Sequence, residues 1–302
     1  MAEETSHFAH YIETVFEEDY LFVVMEHSSR GSVRDFMDKE HKEGFSEAQV
    51  KVYLKQLLAA LKQLHKNNFA HCCLRAANLL LAGDGTIKLQ DLGPGAMIKW
   101  GLAEECDTHP YWSMNSFKTI RSYSLVAPEM ADISNPIQTS SDIWSIGCLA
   151  IELITGNPPF HYLNPDKALI KMATIDTPPI PASIVQVGVR SFLEDCFNFD
   201  PKKRPSVDEL LRHTWFVGEK SPIDKQIDVA LMLAEAERKI DDLILKETMI
   251  GNWRLVEKLG KGAYGTVYKA INITDGTMGA IKTFGEVEVS EQEQKAIRVS
   301  TV

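Results

Sequence analysis

The spacing of hydrophobic residues changes along the chain. Residues 10–26 are rich in β-branched and aromatic side chains and contain the acidic run Glu17-Glu18-Asp19, which predicts two strands joined by a turn. Residues 46–66 instead have apolar side chains at intervals of three and four, which predicts a long helix with one buried face. Ser46 and Gln49 at its start fit a capping box.

The rest of the pattern predicts a helical body followed by a second set of strands. Short β-prone pieces at 78–81 and 86–89 flank the turn Gly83-Asp84-Gly85, and helical periodicity returns from about 140 to 215. Residues 223–247 have the pattern of an amphipathic linker helix. After this segment three further strands are expected, at 253–259, 265–271 and 278–282.

Composition and charge are typical of a globular protein that does not bind nucleic acid. Hydrophobic residues make up 44% and charged residues 25% of the 302, and the net charge of −10 disfavours contact with a phosphate backbone. No apolar stretch has the length of a membrane span, and the N-terminus lacks the apolar core of a secretion signal. The five cysteines have no metal-ligand spacing and are expected to be reduced thiols. We therefore expect a cytoplasmic protein with no nucleic-acid partner and no membrane span.

A glycine-rich run in the C-terminal part has the spacing of a phosphate-binding loop. Gly260, Gly262 and Gly265 follow the pattern G-x-G-x-x-G-x-V, in which backbone amides can approach phosphate oxygens without side-chain obstruction. The run is followed by a strand and then by Ala280-Ile281-Lys282, whereas a dinucleotide-binding loop is followed by a helix. A glycine hairpin followed by A-I-K resembles the nucleotide signature of protein kinases, in which the lysine pairs with the α- and β-phosphates of ATP.

Residues 10–216 carry the same resemblance. They are similar to a serine/threonine protein kinase from its fourth strand to its last helix, in the manner of the sterile family, which includes MAP kinase kinase kinases. The motifs are Val24-Met25-Glu26-His27 for the hinge, Asp91-Leu92-Gly93 for D-F-G, Ala127-Pro128-Glu129 for A-P-E, Asp142–Gly147 for the buried anchoring helix, and Arg204 for the partner of the A-P-E glutamate.

The resemblance implies a fold, a function and a set of site residues. The fold would be α+β and protein-kinase-like, with a mainly helical large lobe and a small antiparallel sheet whose segments lie out of the usual order. The function would be transfer of the γ-phosphoryl group of ATP to serine or threonine hydroxyls, in a MAP-kinase-like signalling pathway with protein substrates or partner kinases. The residues expected to contact ATP are Leu259, Gly260, Lys261, Gly262, Gly265, Val267, Ala280, Lys282, Met25, Glu26 and His27. Asn78 and Asp91 would hold Mg²⁺.

The catalytic loop departs from the family at its central residue. The family reads H-R-D-L-K-x-x-N, whereas His71–Asn78 reads H-C-C-L-R-A-A-N, so Cys73 stands where an aspartate accepts the proton of the substrate hydroxyl. A thiol, with an ordinary pKa of about 8.5, is mostly neutral at pH 7 and cannot supply that fixed anion. The substrate-docking segment Arg121–Val126 has also diverged. No catalytic residue is expected to be intact, and an inactive pseudokinase scaffold is the alternative to an active enzyme.

The order of the segments is reversed relative to the family, in which the glycine loop and A-I-K precede the hinge. We expect residues 1–216 to form the hinge and large lobe, 217–250 a helical linker, and 251–302 a small-lobe segment. One explanation is a fragment of two kinase copies in tandem, and the other is a circular permutation in which one chain supplies every strand of the sheet. Nothing is duplicated, which favours permutation, but permutation is rare, so the tandem fragment is the favoured interpretation. In a tandem fragment the C-terminal sheet would expose apolar surface.

Overall fold

The chain forms two compact units, and neither is continuous in sequence. A computed structural model describes residues 7–17, 20–90, 127–131, 138–163, 165–174, 178–217, 248–262 and 265–284. The first unit contains Met1–Phe8 and Ser32–Ala236, and the second contains Ala9–Gly31 and Glu237–Val302.

Residues 9–31 belong to the same unit as the C-terminal residues, because their strands hydrogen-bond to strands there. The predicted division into 1–216, 217–250 and 251–302 stays a prediction. The predicted linker helix, residues 223–247, lies outside the described residues, and Met249–Ile250 just after it form a strand.

The second unit is a six-stranded antiparallel sheet in the order β1-β2-β8-β7-β6-β5. Its strands are β1 (Tyr11–Glu17), β2 (Tyr20–Glu26), β5 (Met249–Ile250), β6 (Trp253–Gly262), β7 (Gly265–Asn272) and β8 (Met278–Phe284). The strands predicted in residues 10–26 and after residue 251 are therefore confirmed.

A single ladder joins the N-terminal and C-terminal strands of this sheet. Residues Leu21–Glu26 of β2 pair with Phe284–Gly279 of β8 in antiparallel register. The chain thus completes its own sheet, as circular permutation requires. The tandem-fragment interpretation, in which the C-terminal sheet lacked a partner, does not describe this arrangement.

Trp253 fastens the two sequence segments together. Its side chain is 1% exposed, and a Cβ added to Gly279 would lie 2.7 Å from the indole ring and 3.2 Å from Val24. The indole nitrogen donates a hydrogen bond to the carboxylate of Glu13 on β1. Because Gly279 has no side chain, the ring can lie directly against the β8 backbone. The cluster around it also contains buried Ile250, Leu255, Ala270 and Ile281.

The first unit is a helical body with one central helix. Its elements are α1 (Val33–Glu40), α2 (Glu47–Lys66), the hairpin β3 (Leu79–Leu81) and β4 (Ile87–Leu89), α3 (Thr139–Thr155), α4 (Pro165–Thr174), α5 (Val187–Cys196), α6 (Val207–Leu211) and α7 (Thr214–Val217). The predicted capping box of Ser46 and Gln49 begins α2. Helix α3 is buried without interruption from Ser141 to Leu153, so it lies at the centre of the core.

An ion pair between the buried Arg204 and the half-buried Glu129 connects the A-P-E segment to the helical body. The Arg204 guanidinium donates to both carboxylate oxygens of Glu129, at 2.7 and 2.8 Å, and also to the Ser140 and Asn198 carbonyls. Its carbon lies 5.0 Å from the ring centre of Trp144. Burial acts to raise the pKa of Glu129, but the hydrogen bonds from Arg204 outweigh it, so that pKa lies below its ordinary value. This is the pairing that the sequence motif implied.

Two further observations bear on the class of protein. Within the described ranges no helix is both long enough and apolar enough to cross a bilayer. The described cysteines (Cys72, Cys73, Cys148 and Cys196) are free thiols.

Gly279→Val tests the close approach of Trp253 to β8. The added side chain would overlap the indole, and overpacking of this kind costs about 1–3 kcal/mol of unfolding free energy. Trp253→Phe removes the ring atoms that meet the new Cβ, so the double variant should lose less stability than the two single losses together. Urea unfolding followed by circular dichroism measures the effect, with Met278→Val at an exposed position of the same strand as the control. Strict additivity of the two losses would refute the contact.

Arg204→Ala tests the ion pair. Removal of the buried guanidinium leaves the half-buried Glu129 carboxylate without its cation, which costs about 1–3 kcal/mol. Lys203→Ala, next to it and exposed, should change stability by less than about 0.5 kcal/mol. Because the pKa of Glu129 is lowered in the folded state, its contribution is present above the ordinary carboxyl pKa and is lost as the pH falls through the lowered value. Equal unfolding midpoints for the two variants at neutral pH would contradict this role.

Candidate nucleotide site and catalytic loop

The predicted nucleotide-binding residues of β2, β7 and β8 share one face of the sheet. The register pairs Lys282 with Val267 of β7 and with Val23 of β2, and pairs Ala280 with Met25. Cross-strand partners point to the same side of a sheet, and residues two apart on a strand do so as well. The side chains of these five residues therefore lie on one face, and each is half-buried.

The opposite face is the one that holds Trp253. Val24 and Ile281 alternate with the nucleotide-face residues along β2 and β8, and both are fully buried with Trp253. Gly279 lies on the same side as Ile281. The sheet thus has a packed apolar face and a second face with the lysine on it.

The glycine-rich run lies at the end of the β6–β7 hairpin. Gly260 pairs with Val267 and Gly262 pairs with Gly265, while the two turn residues between them lie outside the described residues. Lys261 pairs with Thr266 in the same ladder, and Leu259, just before the run, is 41% exposed. The register shifts between Lys258 and Gly260, as at a β-bulge, where the direction of a hairpin changes.

A threonine pair fastens this hairpin to the lysine strand. The hydroxyl of Thr283 accepts a hydrogen bond from the Thr266 amide and donates one to the Thr266 carbonyl, both at 3.1 Å. Thr283 follows Lys282 directly on β8. The start of β7 and the lysine are therefore held in one rigid part of the sheet.

The predicted hinge continues from β2 on the same sheet. The Glu26 amide donates to the His10 carbonyl at 2.8 Å, which keeps the end of β2 in place. His27 is half-buried, and burial, followed by the charge of Lys269, lowers its pKa even though Glu257 acts in the opposite direction. Both effects favour the neutral form of the His27 imidazole at pH 7.

The catalytic loop lies in the first unit and is anchored by Asp142 of α3. This fully buried carboxylate accepts hydrogen bonds from the amides of His71 and Cys72, at 2.8 and 2.9 Å, and lies 2.8 Å from Nε2 of His65. Cys72 has a φ of 66°, in the left-handed region that side chains disfavour. Asp142 holds that strained backbone in place.

Cys73 occupies a closed position in this loop. It is 4% exposed, and the side-chain Nδ2 of Asn78 donates to its carbonyl oxygen at 2.8 Å and to its sulfur at 3.2 Å. The neighbouring Cys72 thiol has a pKa raised above its ordinary value, first by burial and then by the Asp142 carboxylate. Neither thiol therefore replaces the carboxylate that the family uses at this position.

The predicted metal ligands are only partly open to comparison with the structure. Asn78 is buried and engages Cys73 through its nitrogen, so its oxygen is the atom that fits a hard cation such as Mg²⁺. Asp91 and the Arg121–Val126 segment lie outside the described residues. The described residues contain no group of three His, Cys, Asp or Glu side chains that could hold a metal ion.

Sequence reasoning missed the residues that join the two halves of the sheet. Glu13, Trp253 and Gly279 carry no chemistry in the motif, so nothing marked them as a set. One signal was present: the kinase pattern V-A-I-K has a valine where this chain has Gly279. A lost side chain in a buried strand indicates that a larger neighbour fills the space.

Comparison with known proteins covers the larger, N-terminal part of the chain. The sequence profile described as "Protein kinase domain" matches residues 3–216. The chain is 35% identical over 199 residues to "Cell division control protein 7" of Schizosaccharomyces pombe, covering 66% of this chain and 17% of that protein. It is 30% identical over 222 residues to "MAP3K epsilon protein kinase 1" of Brassica napus, covering 72% of this chain and 16% of that one.

A third relative, "Cytokinesis protein sepH" of Emericella nidulans, is 34% identical over 201 residues, covering 66% of this chain and 14% of that protein. The chain therefore spans less than a fifth of the length of these relatives. The profile match covers more than two thirds of the chain and confirms the protein-kinase-like α+β fold. The chain belongs to the protein kinase family.

Proposed function

We propose that this chain binds ATP with magnesium and acts as a serine/threonine protein kinase domain. The observation that carries the proposal is the shared sheet face of Met25, Val267, Ala280 and Lys282. These residues come from opposite ends of the sequence, and chance would not place the family's nucleotide residues on one side of adjacent strands in the family's register. A single sheet that presents them together supports one nucleotide site.

The chemistry of each group fits a part of ATP. The ammonium of Lys282 would pair with the α- and β-phosphates, and the amides of Gly260, Gly262 and Gly265 would approach the phosphates from the hairpin. Val267 and Ala280 would contact the adenine ring, with Met25, Glu26 and His27 along its edge. Magnesium would be held by Asn78 and Asp91, and it would neutralise charge on the β- and γ-phosphates.

The relatives suggest a setting for this activity. Their names refer to cell division, cytokinesis and a MAP kinase kinase kinase. We extend this to the present chain as a proposal: it acts in the cytoplasm within a kinase signalling pathway, with protein substrates or partner kinases. The net charge of −10 argues against nucleic acid as the main partner.

A second candidate function, nucleotide binding without turnover, rests on Cys73. The family's general base is replaced by a buried thiol that Asn78 holds in place. General-base catalysis contributes about 10²–10⁴-fold to a rate, so its loss would leave a very slow enzyme or a scaffold regulated by nucleotide. ATP binding is common to both candidates, and phosphoryl transfer separates them.

ATP with magnesium should raise the melting temperature of the chain relative to magnesium alone. A ligand at 100 times its Kd stabilises the folded state by about 2.7 kcal/mol. Lys282→Ala should abolish most of the shift, because the phosphates lose their cation. Arg254→Ala, an exposed cation on β6, should retain the shift. A well-folded wild-type chain that shows no shift at millimolar ATP would contradict the nucleotide site.

Cys73→Asp should increase phosphoryl transfer by about 10²-fold or more over the wild-type chain, since it restores the carboxylate. Radiolabelled ATP with myelin basic protein as acceptor measures the rate. Cys73→Asn has the same shape without the charge and should stay at the wild-type level. If wild-type and Cys73→Asp chains bind ATP equally and neither transfers phosphate, the scaffold function stands and the kinase function fails.

A further inference from the structure

The second unit has no core that belongs to one sequence segment alone. Val24 is the fully buried residue that β2 supplies, while Trp253, Ala270 and Ile281 come from the C-terminal strands. Val15 of β1 lies 3.4 Å from the position of a Cβ on Gly251. Separation of the segments would therefore expose apolar surface on both of them.

The N-terminal hairpin depends on receiving β8. A two-stranded hairpin is marginally stable in water at best, and three or more strands with a packed face are needed for independent stability. Without β8, the residues Leu21–Glu26 would form an open edge of unpaired amides and carbonyls. An open edge of this kind is a template for strand addition from another chain.

The segment that fills this edge lies outside the part of the chain that matches the family profile. The profile ends at residue 216, and β5 begins at Met249. The residues between α7 and β5 can span up to about 100 Å at full extension, at roughly 3.3 Å per residue. This length permits the segment to reach either its own β2 or that of a neighbouring molecule.

We propose that residues 248–284 of one copy of this chain can complete the sheet of a second copy, giving reciprocally exchanged dimers. Every contact described for the closed sheet would be retained, because the same residues meet in the same register. Each nucleotide site would then take its hinge from one copy and its glycine loop and Lys282 from the other. The nucleotide part of this inference rests on the proposed function, whereas strand exchange does not.

Concentration decides between the closed chain and the exchanged dimer. A tether of this kind gives its own segment an effective concentration on the order of millimolar, so dilute chains close on themselves. Chains that refold together at high concentration meet foreign segments more often, and the exchanged form accumulates. The partner is specific, since the receiving hairpin must supply Val24 to the cluster around Trp253 and Glu13 to the indole nitrogen.

Two variants that each add one cysteine to the five native ones detect the exchange directly. Phe22 pairs with Thr283 across the β2–β8 ladder, so Phe22→Cys and Thr283→Cys lie within reach of each other only where these strands pair. The two variants are unfolded, mixed, refolded together at high concentration and treated with a short bis-maleimide. A heterodimer severalfold above the level of each variant alone is expected, and its yield should fall when refolding is dilute.

A mismatched pair provides the control for register. Thr274→Cys lies in the exposed turn between β7 and β8, away from β2, and should give no more dimer with Phe22→Cys than either variant alone. Equal yields for matched and mismatched pairs would overturn the proposal. If Phe22→Cys weakens folding, Met25→Cys with Ala280→Cys tests the same ladder on the other face.

A third mixture tests the composite nucleotide site. Lys282→Ala removes the phosphate cation from one copy, and Val24→Asp disrupts the β2 edge of the other. Neither variant alone should show the ATP-dependent thermal shift. Their co-refolded mixture should regain a shift, because one of the two sites in each heterodimer combines the intact β2 with the intact Lys282. If matched cross-linking yields the heterodimer but ATP does not raise the melting temperature of the wild-type chain, the nucleotide function is refuted and the exchange stands. An ATP shift in the wild-type chain without matched cross-linking would refute the exchange and leave the function intact.

Discussion

The backbone ladder between β2 and β8 is the interaction on which the six-stranded sheet, and with it the proposed nucleotide site, depends. It joins residues 21–26 to residues 279–284, which are almost the whole chain length apart. The ladder sets the register of Met25 against Ala280 and of Val23 against Lys282, so a slip by one residue would turn the lysine to the other face. The indole of Trp253 opposes such a slip, because its hydrogen bond to Glu13 and its packing with Val24 hold the β1–β2 hairpin in this register.

The first unit keeps the structural contacts of the kinase family but has Cys73 in place of the catalytic aspartate. Asp142 still holds the catalytic loop through the amides of His71 and Cys72, and Arg204 still binds Glu129. These contacts stabilise the fold whether or not the chain catalyses a reaction. Compared with the family, the loop lacks the carboxylate that serves the reaction but not the fold. The structural contacts of a kinase therefore remain around Cys73.

Much of this architecture could be predicted from the sequence because its signals are local. The periodicity of 46–66 with its capping box, the turn before β4 and the glycine hairpin each fix a short stretch of backbone without reference to distant residues. These local features need only side-chain spacing and turn chemistry. The partner of Arg204 was implied by the resemblance to the kinase family.

The long-range pairing could not be predicted in the same way. The pattern of β2 and β8 indicated strands, but a strand's sequence does not say which strand lies beside it. The tandem-fragment interpretation was favoured because permutation is rare. No sequence motif indicated that Trp253 packs against Gly279 and Val24. The same pairing places residues 9–31 in the unit that contains the C-terminal strands.

The most direct test of this account is a nuclear Overhauser measurement on the isotopically labelled full-length chain at low concentration. The register of β2 and β8 predicts cross-strand contacts between Val24 and Ile281 and between Met25 and Ala280, together with contacts from the Trp253 ring to the Gly279 α-protons. Observation of these contacts in a monomer would establish that one chain completes its own kinase sheet. Strand signals for both segments without any contact between them would contradict the account.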